Sequence, residues 1–328
     1  MSLLYPLTFQ PIFKERVWGG RNLERLYGKQ LPPEAVIGES WEVSDRPGDV
    51  SVITNGPLAG KDLHWLVEHH RADLLGDSKL EAGRFPLLVK LLDARDALSL
   101  QVHPPAQKAA ELHGDPKTEM WFIAAADPGA QLHVGLQRGV TRAGFERKIK
   151  DGSVAECFHH VPVQAGDAMF LPSGRVHAIG AGLVIFEIQQ NSDTTYRVFD
   201  WNRVGLDGKS RELHIAQSLA SIDFNDFEPA LVSGEEIVGP NFRRRQLVNY
   251  PLFRVEQFKV QSDKAIELRG SLMQILGVVS GQLRVNDPAT GGSGPVLRAG
   301  QFCLLPAALP AVKLFGEPGT QFLRIATG

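Results

Sequence analysis

Short apolar runs, each closed by a proline, a glycine or a polar cluster, recur along the whole chain. FPLLVKLLDA (85–94), LSLQVH (98–103), TEMWFIAA (118–125), AMFLP (168–172), LVIFEIQQ (183–190), FRVEQFKV (253–260), LMQILGVVSG (272–281) and QFCLLP (301–306) have the length and composition of strands. Helical periodicity is confined to 21–28, 61–76, 104–114, 141–154 and 213–222. The 33 glycines and 21 prolines fall at short intervals, which favours many short strands over long helices. The pattern predicts a mainly β chain with a few short helices.

One spacing occurs twice. Gly166, five residues DAMFL and Pro172 are echoed by Gly300, QFCLL and Pro306, each after a hydrophobic strand and a turn. Two copies of one β-roll would produce this. The stretch FNDFEPALVSGEEIVGPNFRRR is polar and aperiodic, so a boundary is expected within 225–245. The predicted domains are 1–230 and 231–328. DPATGGSGP (287–295) reads as a flexible hairpin loop in the second.

Composition narrows the function class. With 43% hydrophobic and 22% charged residues the chain has the make-up of a soluble globular protein. A formal charge of −2 gives no global attraction for nucleic acid or an anionic membrane, so an anionic ligand must be held by locally placed Lys and Arg. Two distant cysteines, Cys157 and Cys303, exclude a disulfide framework and suit a reducing cytosol. The opening residues lack a signal peptide's basic start and cleavage site, and no run of 18 apolar residues exists. The expected location is cytoplasmic, as a monomer or homodimer.

The chemistry concentrates in ALSLQVHPPAQKAAELHGDPKTEMWFIAAA (97–126). Residues i and i+2 of a strand share a face, so Ser99, Gln101 and His103 project together. Glu119 opens the next strand, and His177 follows the turn at Gly166. Two imidazoles, a carboxylate and an amide oxygen suit a borderline divalent ion such as zinc. A lone histidine after a strand is more often a surface or core residue, and His64, His69, His70, His159 and His160 read that way. Lys90 stands inside an apolar strand, which is costly unless it is paired or functional. An ion pair with Asp93 or Asp96 is the plain alternative.

The motifs as a set resemble a known family. Gly166-x5-Pro172-x-Gly174-x2-His177 matches the second cupin motif, with Ala181 where that motif ends in Asn. The first motif's paired histidines appear as Gln101-x-His103, and its glutamate comes late, as Glu119. With PIFKERVWGG, GESWEVSD, Lys117-Thr-Glu119 and Asn191-Ser-Asp193-Thr-Thr-Tyr-Arg197, the chain resembles a type I phosphomannose isomerase of the short bacterial form over residues 1 to about 225. The resemblance implies two cupin-type jelly-roll β-barrel domains, the second degenerate and without metal. It implies one zinc ion on Gln101, His103, Glu119 and His177, and Arg197, Lys117 and Glu187 as active-site residues. Lys90 and Ser99 fall where the family meets the phosphate, and Trp18 and Glu39 where it lines the pocket. The implied activity interconverts mannose 6-phosphate and fructose 6-phosphate through a cis-enediol, with a small sugar phosphate as the sole partner. The base could be Glu187, Lys117 or a metal-bound water. Two other readings compete: a non-catalytic sugar-phosphate-binding or regulatory cupin with structural zinc, and a metal-dependent dioxygenase.

Overall fold

The computed structural model describes residues 4–286 and 292–328. Four sheets carry the chain, with a small hairpin of β3 (Asp45–Arg46) and β4 (Asp49–Val50) beside them. The first sheet has six strands in the order β1 (Ile12–Gly20), β2 (Ile37–Val43), β5 (Leu87–Ala94), β12 (Leu183–Gln190), β7 (Glu119–Ala126) and β10 (Ala168–Leu171). Facing it are five strands in the order β13 (Tyr196–Phe199), β6 (Leu100–Val102), β11 (His177–Ile179), β8 (Gln131–Leu136) and β9 (Phe158–Pro162).

The third sheet runs β14 (Glu236–Val238), β15 (Phe242–Asn249), β16 (Phe253–Val260), β23 (Gln321–Thr327), β18 (Gln274–Ser280) and β21 (Phe302–Leu305). The fourth runs β17 (Ile266–Leu268), β22 (Val312–Gly316), β19 (Gln282–Asn286) and β20 (Ser293–Arg298). Every pairing between these strands is antiparallel.

Burial explains why the central strands read as unbroken apolar runs. Both β5 and β12 are buried at all their positions. On one face Leu87, Val89, Leu91, Val184, Phe186 and Ile188 join Phe253, Val255, Ile275, Leu304, Leu323 and Ile325 in a core shared by the two six-stranded sheets. On the other face Leu92, Ala94, Leu183 and Ile185 pack with Trp121, Leu132 and Val134 between the first two sheets. A strand covered on both sides cannot alternate with polar residues, except where chemistry demands it. Lys90, Asp93, Glu187, Gln189 and Gln190 are the buried polar exceptions, and of these Lys90 and Glu187 line the pocket between sheets one and two.

Most predicted strands are found within a residue or two of their expected bounds, and 183–190 and 253–260 match in full. The 104–114 helix shrinks to Ala106–Ala109, and the 61–76 helix divides into Leu63–His69 and Arg71–Leu75. The aperiodic stretch 225–245 holds β14 and part of β15, whose polar, exposed positions masked the strand pattern. Of the proposed loop 287–295, residues 287–291 lie outside the described residues.

Candidate metal centre and active-site pocket

Register brings two rows of side chains face to face. On the five-stranded sheet, Arg197 of β13 pairs with Gln101 of β6, which pairs with His177 of β11. On the six-stranded sheet, Trp41, Lys90, Glu187 and Trp121 lie side by side across β2, β5, β12 and β7. Directly paired residues point to one face, so each row lines the gap between the sheets. Glu119, two residues before Trp121 on β7, shares its face. His103 follows β6 and is held by its chain: its carbonyl accepts from Gly174 N at 2.9 Å. Gly174 sits at φ +91°, and a Cβ there would stand 3.2 Å from Ser221 O, so the motif's glycine is required by both conformation and space.

His103, Glu119 and His177 converge at the floor of this gap, with one ligand atom from each within 4.8 Å of the others. Their exposures are 1%, 0% and 1%. Both imidazoles are oriented by their outer nitrogens: His103 Nδ1 lies 2.8 Å from Thr194 O and His177 Nδ1 3.0 Å from Arg175 O. Each Nδ1 is therefore the protonated nitrogen, and each Nε2 turns an unprotonated lone pair inward. Glu119 Oε2 is 3.5 Å from His103 Nε2, and Oε1 is 3.4 Å from His177 Nε2. Neither Glu119 oxygen nor His103 Nε2 has a hydrogen-bond partner among the described residues. Lys117 Nζ stands 2.7 Å from Glu119 Oε2, out of line for a hydrogen bond.

Electrostatics sets the same protonation. Burial, reinforced by the Lys117 charge, pushes His103 down to about 4. Burial also lowers His177. Burial alone would raise Glu119, but Lys117 and His103 outweigh it and hold the carboxyl well below its usual range. Two imidazoles and one carboxylate are buried here, and His103 Nε2 and both Glu119 oxygens lack a hydrogen bond among the described residues, an arrangement that is costly as it stands. They are the donor set a divalent cation requires. Gln101 lies beside them: its Nε2 is 3.4 Å from His177 Nε2, and its Oε1 accepts from Ser99 Oγ at 3.2 Å. A half-turn of this amide would turn its oxygen toward the imidazoles.

Above this floor opens a pocket of about 650 Å³. Trp18, Glu39, Lys90, Ser99, Gln101, Lys117, Glu187 and Arg197 all line it, so every remaining residue singled out from the sequence is brought to one place. Lys90 does not pair with Asp93 or Asp96. Asp93 instead accepts from Asn22 at 2.6 and 2.9 Å on another face. Lys90 Nζ lies 3.1 Å from Glu187, 3.8 Å from Glu39 and 4.0 Å from Asp193. Glu187 Oε1 accepts from Trp121 Nε1 at 3.0 Å. Glu39 is fixed by Arg16 at 2.8 Å and by Trp41 Nε1 at 2.7 Å. Arg197 has a buried Nε with no partner among the described residues and only a 3.4 Å contact from Nη1 to Glu212 O.

Sequence reasoning missed Arg16, Trp121, Asp193, Arg211 and His214. Asp193 stood inside the motif that yielded Arg197. Arg211 carried no signal, because a loop after β13 folds it over the pocket from outside any motif.

Comparison with known proteins accords with this geometry. The catalytic-domain profile of type I phosphomannose isomerases matches residues 7–133. A Streptococcus mutans protein named mannose-6-phosphate isomerase is 35% identical over 313 residues, 95% of this chain and 96% of its own. A Bacillus subtilis mannose-6-phosphate isomerase is 36% identical over 315 residues, with the same coverage. The crystal structure of a mannose 6-phosphate isomerase from Bacillus subtilis superimposes with a TM-score of 0.89 at 28% identity, covering 98% of this chain and 99% of that one. Lengthwise identity to named relatives, matched by fold along nearly the whole chain, establishes that this protein belongs to the type I phosphomannose isomerase family.

Proposed function

We propose that the chain is a metal-dependent aldose–ketose isomerase that interconverts mannose 6-phosphate and fructose 6-phosphate. The observation that carries this reading is the buried His103–Glu119–His177 set, with His103 Nε2 and both Glu119 oxygens unpartnered among the described residues, at the floor of a pocket lined by Lys117, Glu187 and Arg197. Zinc is the ion we assign, one per chain, on these three residues and Gln101. When bound, it supplies Lewis acidity toward the hydroxyl and carbonyl oxygens of the sugar.

The pocket's charge supports an anionic substrate. Arg16, Lys90, Lys117, Arg197 and Arg211 face Glu15, Glu39, Glu187, Asp193 and Asp207. The two sets balance, so a divalent ion against the single charge of Glu119 tips the site positive. Ser99 and Lys90 are the proposed phosphate contacts, with Arg197 and Arg211 bounding the same space. Holding the phosphate there spends remote binding energy on placing C1 and C2. Trp18 and Glu39 complete the wall. Arg197 offers an unspent guanidinium, always charged, for negative charge developing on the sugar oxygens.

Moving a proton between C2 and C1 needs one acid–base group near the carbons. Glu187 already commits Oε1 to Trp121 and lies against Lys90 with Oε2. We therefore assign Glu187 to positioning Lys90, and Lys117, poised over the floor, to carrying the proton. A sugar-binding protein with structural zinc would have no use for the unspent guanidinium of Arg197. We further read each facing pair of sheets as a cupin jelly roll, divide the chain at about residue 230, and place it in the cytoplasm as a monomer or homodimer. No helix among the described residues is long and apolar enough to cross a membrane.

Incubation with mannose 6-phosphate in D2O tests the function. Fructose 6-phosphate should form and carry deuterium at C1. A sugar phosphate that binds but returns unchanged and unlabelled would leave only the binding-protein reading.

A further inference from the structure

A second hollow lies on the outer side of the five-stranded sheet. Its volume is about 800 Å³, within the range of small-molecule sites. Leu132 and Val134 of β8 point into the gap between the sheets, so His133 between them points outward. His133 pairs with Ala178, the neighbour of the metal-facing His177. Its side chain lines the hollow. It is 8% exposed, and its Nδ1 has no partner among the described residues.

Three rings make one wall. His133 and His160 meet edge to face at 4.6 Å and 77°, and His133 lies 5.7 Å from Trp201. The opposite wall is the first turns of the helix Arg142–Asp151, whose N-terminus carries partial positive charge. Three cations stand at the rim. Arg138 is paired with Glu228 at 2.9 Å, and Lys148 is paired with Glu156. Arg147 makes no ion pair among the described residues. Burial, with the neighbouring His160, holds His133 down at about 4, so near neutrality it offers a hydrogen-bonding nitrogen and no charge.

A flat ring face beside an unpaired guanidinium and a buried imidazole selects a ligand with an aromatic ring at one end and a phosphate at the other. We propose that this hollow is a second small-molecule site, distinct from the isomerase pocket, that takes a nucleoside monophosphate. The base stacks against Trp201 and His160 and hydrogen-bonds His133, and the phosphate meets Arg147 in the second turn of the facing helix. Nothing in the proposed reaction uses these residues.

Titration calorimetry on the full chain tests it, with AMP, GMP and CMP as probes and saturating fructose 6-phosphate present throughout. At least one nucleotide should bind once per chain, about tenfold tighter than its nucleoside or inorganic phosphate alone. Arg147→Glu should weaken it by about tenfold or more while isomerisation is unchanged, and His160→Ala should weaken it less. The proposal is overturned by no binding of any nucleotide, or by inorganic phosphate or the nucleoside binding as tightly. It is equally overturned by binding that fructose 6-phosphate displaces, or by both variants binding like the parent. The Arg147→Glu comparison stands even if the isomerase assignment fails, because it reads binding and not turnover.

Discussion

The two halves of the molecule share a strand plan and differ in what they place inside it. The order β1-β2-β5-β12-β7-β10 over residues 12–190 has the same form as β14-β15-β16-β23-β18-β21 over 236–327. Leu171, five residues after Gly166, pairs with Glu119; Leu305, five after Gly300, pairs with Gln274. Following the pairings outward sets Trp121 against Leu276, Glu187 against Arg324, Lys90 against Glu256, and Glu39 against Arg244. A lysine flanked by two glutamates in one half thus corresponds to a glutamate flanked by two arginines in the other. The second cluster satisfies itself: Arg324 reaches Glu256 at 2.7 Å and Gln274 at 2.6 Å, and Arg244 reaches Glu256 at 3.0 Å. The first leaves Glu119, His103 Nε2 and Arg197 Nε unsatisfied. The same frame therefore yields, in one half, a floor whose His103 Nε2 and Glu119 oxygens lack hydrogen bonds among the described residues and, in the other, a network closed on itself.

The largest effect should come from the floor of the first half. His103→Ala or His177→Ala should each abolish stoichiometric metal, read by elemental analysis, and cut turnover by more than about a hundredfold, since even outer-shell partners of a metal cost that much. Ala311 stands as far after Gly300 as His177 does after Gly166. Ala311→His should bind no second metal beyond the one at the first-half site, because the second half lacks the other donors. A second equivalent of metal per chain on that variant would break the contrast. Arg197→Ala should keep its metal and lose about a hundredfold in kcat, the scale of one preorganised donor to developing charge. Retained turnover would remove Arg197 from the reaction.

Glu39 makes the charge reversal measurable by pH. Burial would raise it, but Lys90, Arg16 and the Trp41 N–H bring it down to about 2 from 4.5. A depressed carboxyl stabilises the fold fully above its unfolded value and loses that contribution as pH falls. The loss should run from about 4.5 down to 2 and amount to about 3 kcal/mol. Denaturant unfolding of Glu39→Gln across that window should show a flatter acid limb than the parent. Equal slopes would mean that Lys90 does not see this charge.

How much of this was legible in the sequence follows from what each residue had to contend with. Gln101 and His103 shared one strand face, but what drew them together with Glu119 and His177 was the resemblance of their motifs to a known family, since a lone histidine reads as surface or core. Lys90 stood out as a charge inside an apolar strand, but its true partners sit on β12, β2 and the loop after β12, and strand pairing is not written in one strand. Trp121 was hidden, since an indole in a strand reads as core. It is core, and it also donates to Glu187 and meets His177 edge-on at 5.3 Å. Trp121→Phe should therefore keep the metal and lower kcat by about tenfold, the worth of one hydrogen bond to a charged group. KM should change less than kcat if Trp121 positions and does not bind. The corresponding Leu276 has no donor to lose, so Leu276→Phe should leave kcat alone.

The smallest effect tests whether the second cluster is only structural. Arg324 joins β23 to β16 and β18 through Glu256 and Gln274, and its side chain is about one-quarter exposed, at 23%. Water screens what remains, so Arg324→Leu should cost about 1 kcal/mol, less than a fully buried pair. The fall would appear as a lower denaturation midpoint with an unchanged slope. Turnover should not move, because the shared apolar core between the two six-stranded sheets carries no polar path from Arg324 to Lys90: Phe186, Ile275, Leu323 and Ile325 fill it. A drop in kcat at constant stability would show that the halves communicate through that core, and the second cluster would then belong to the active site's support and not to a separate, self-satisfied sandwich.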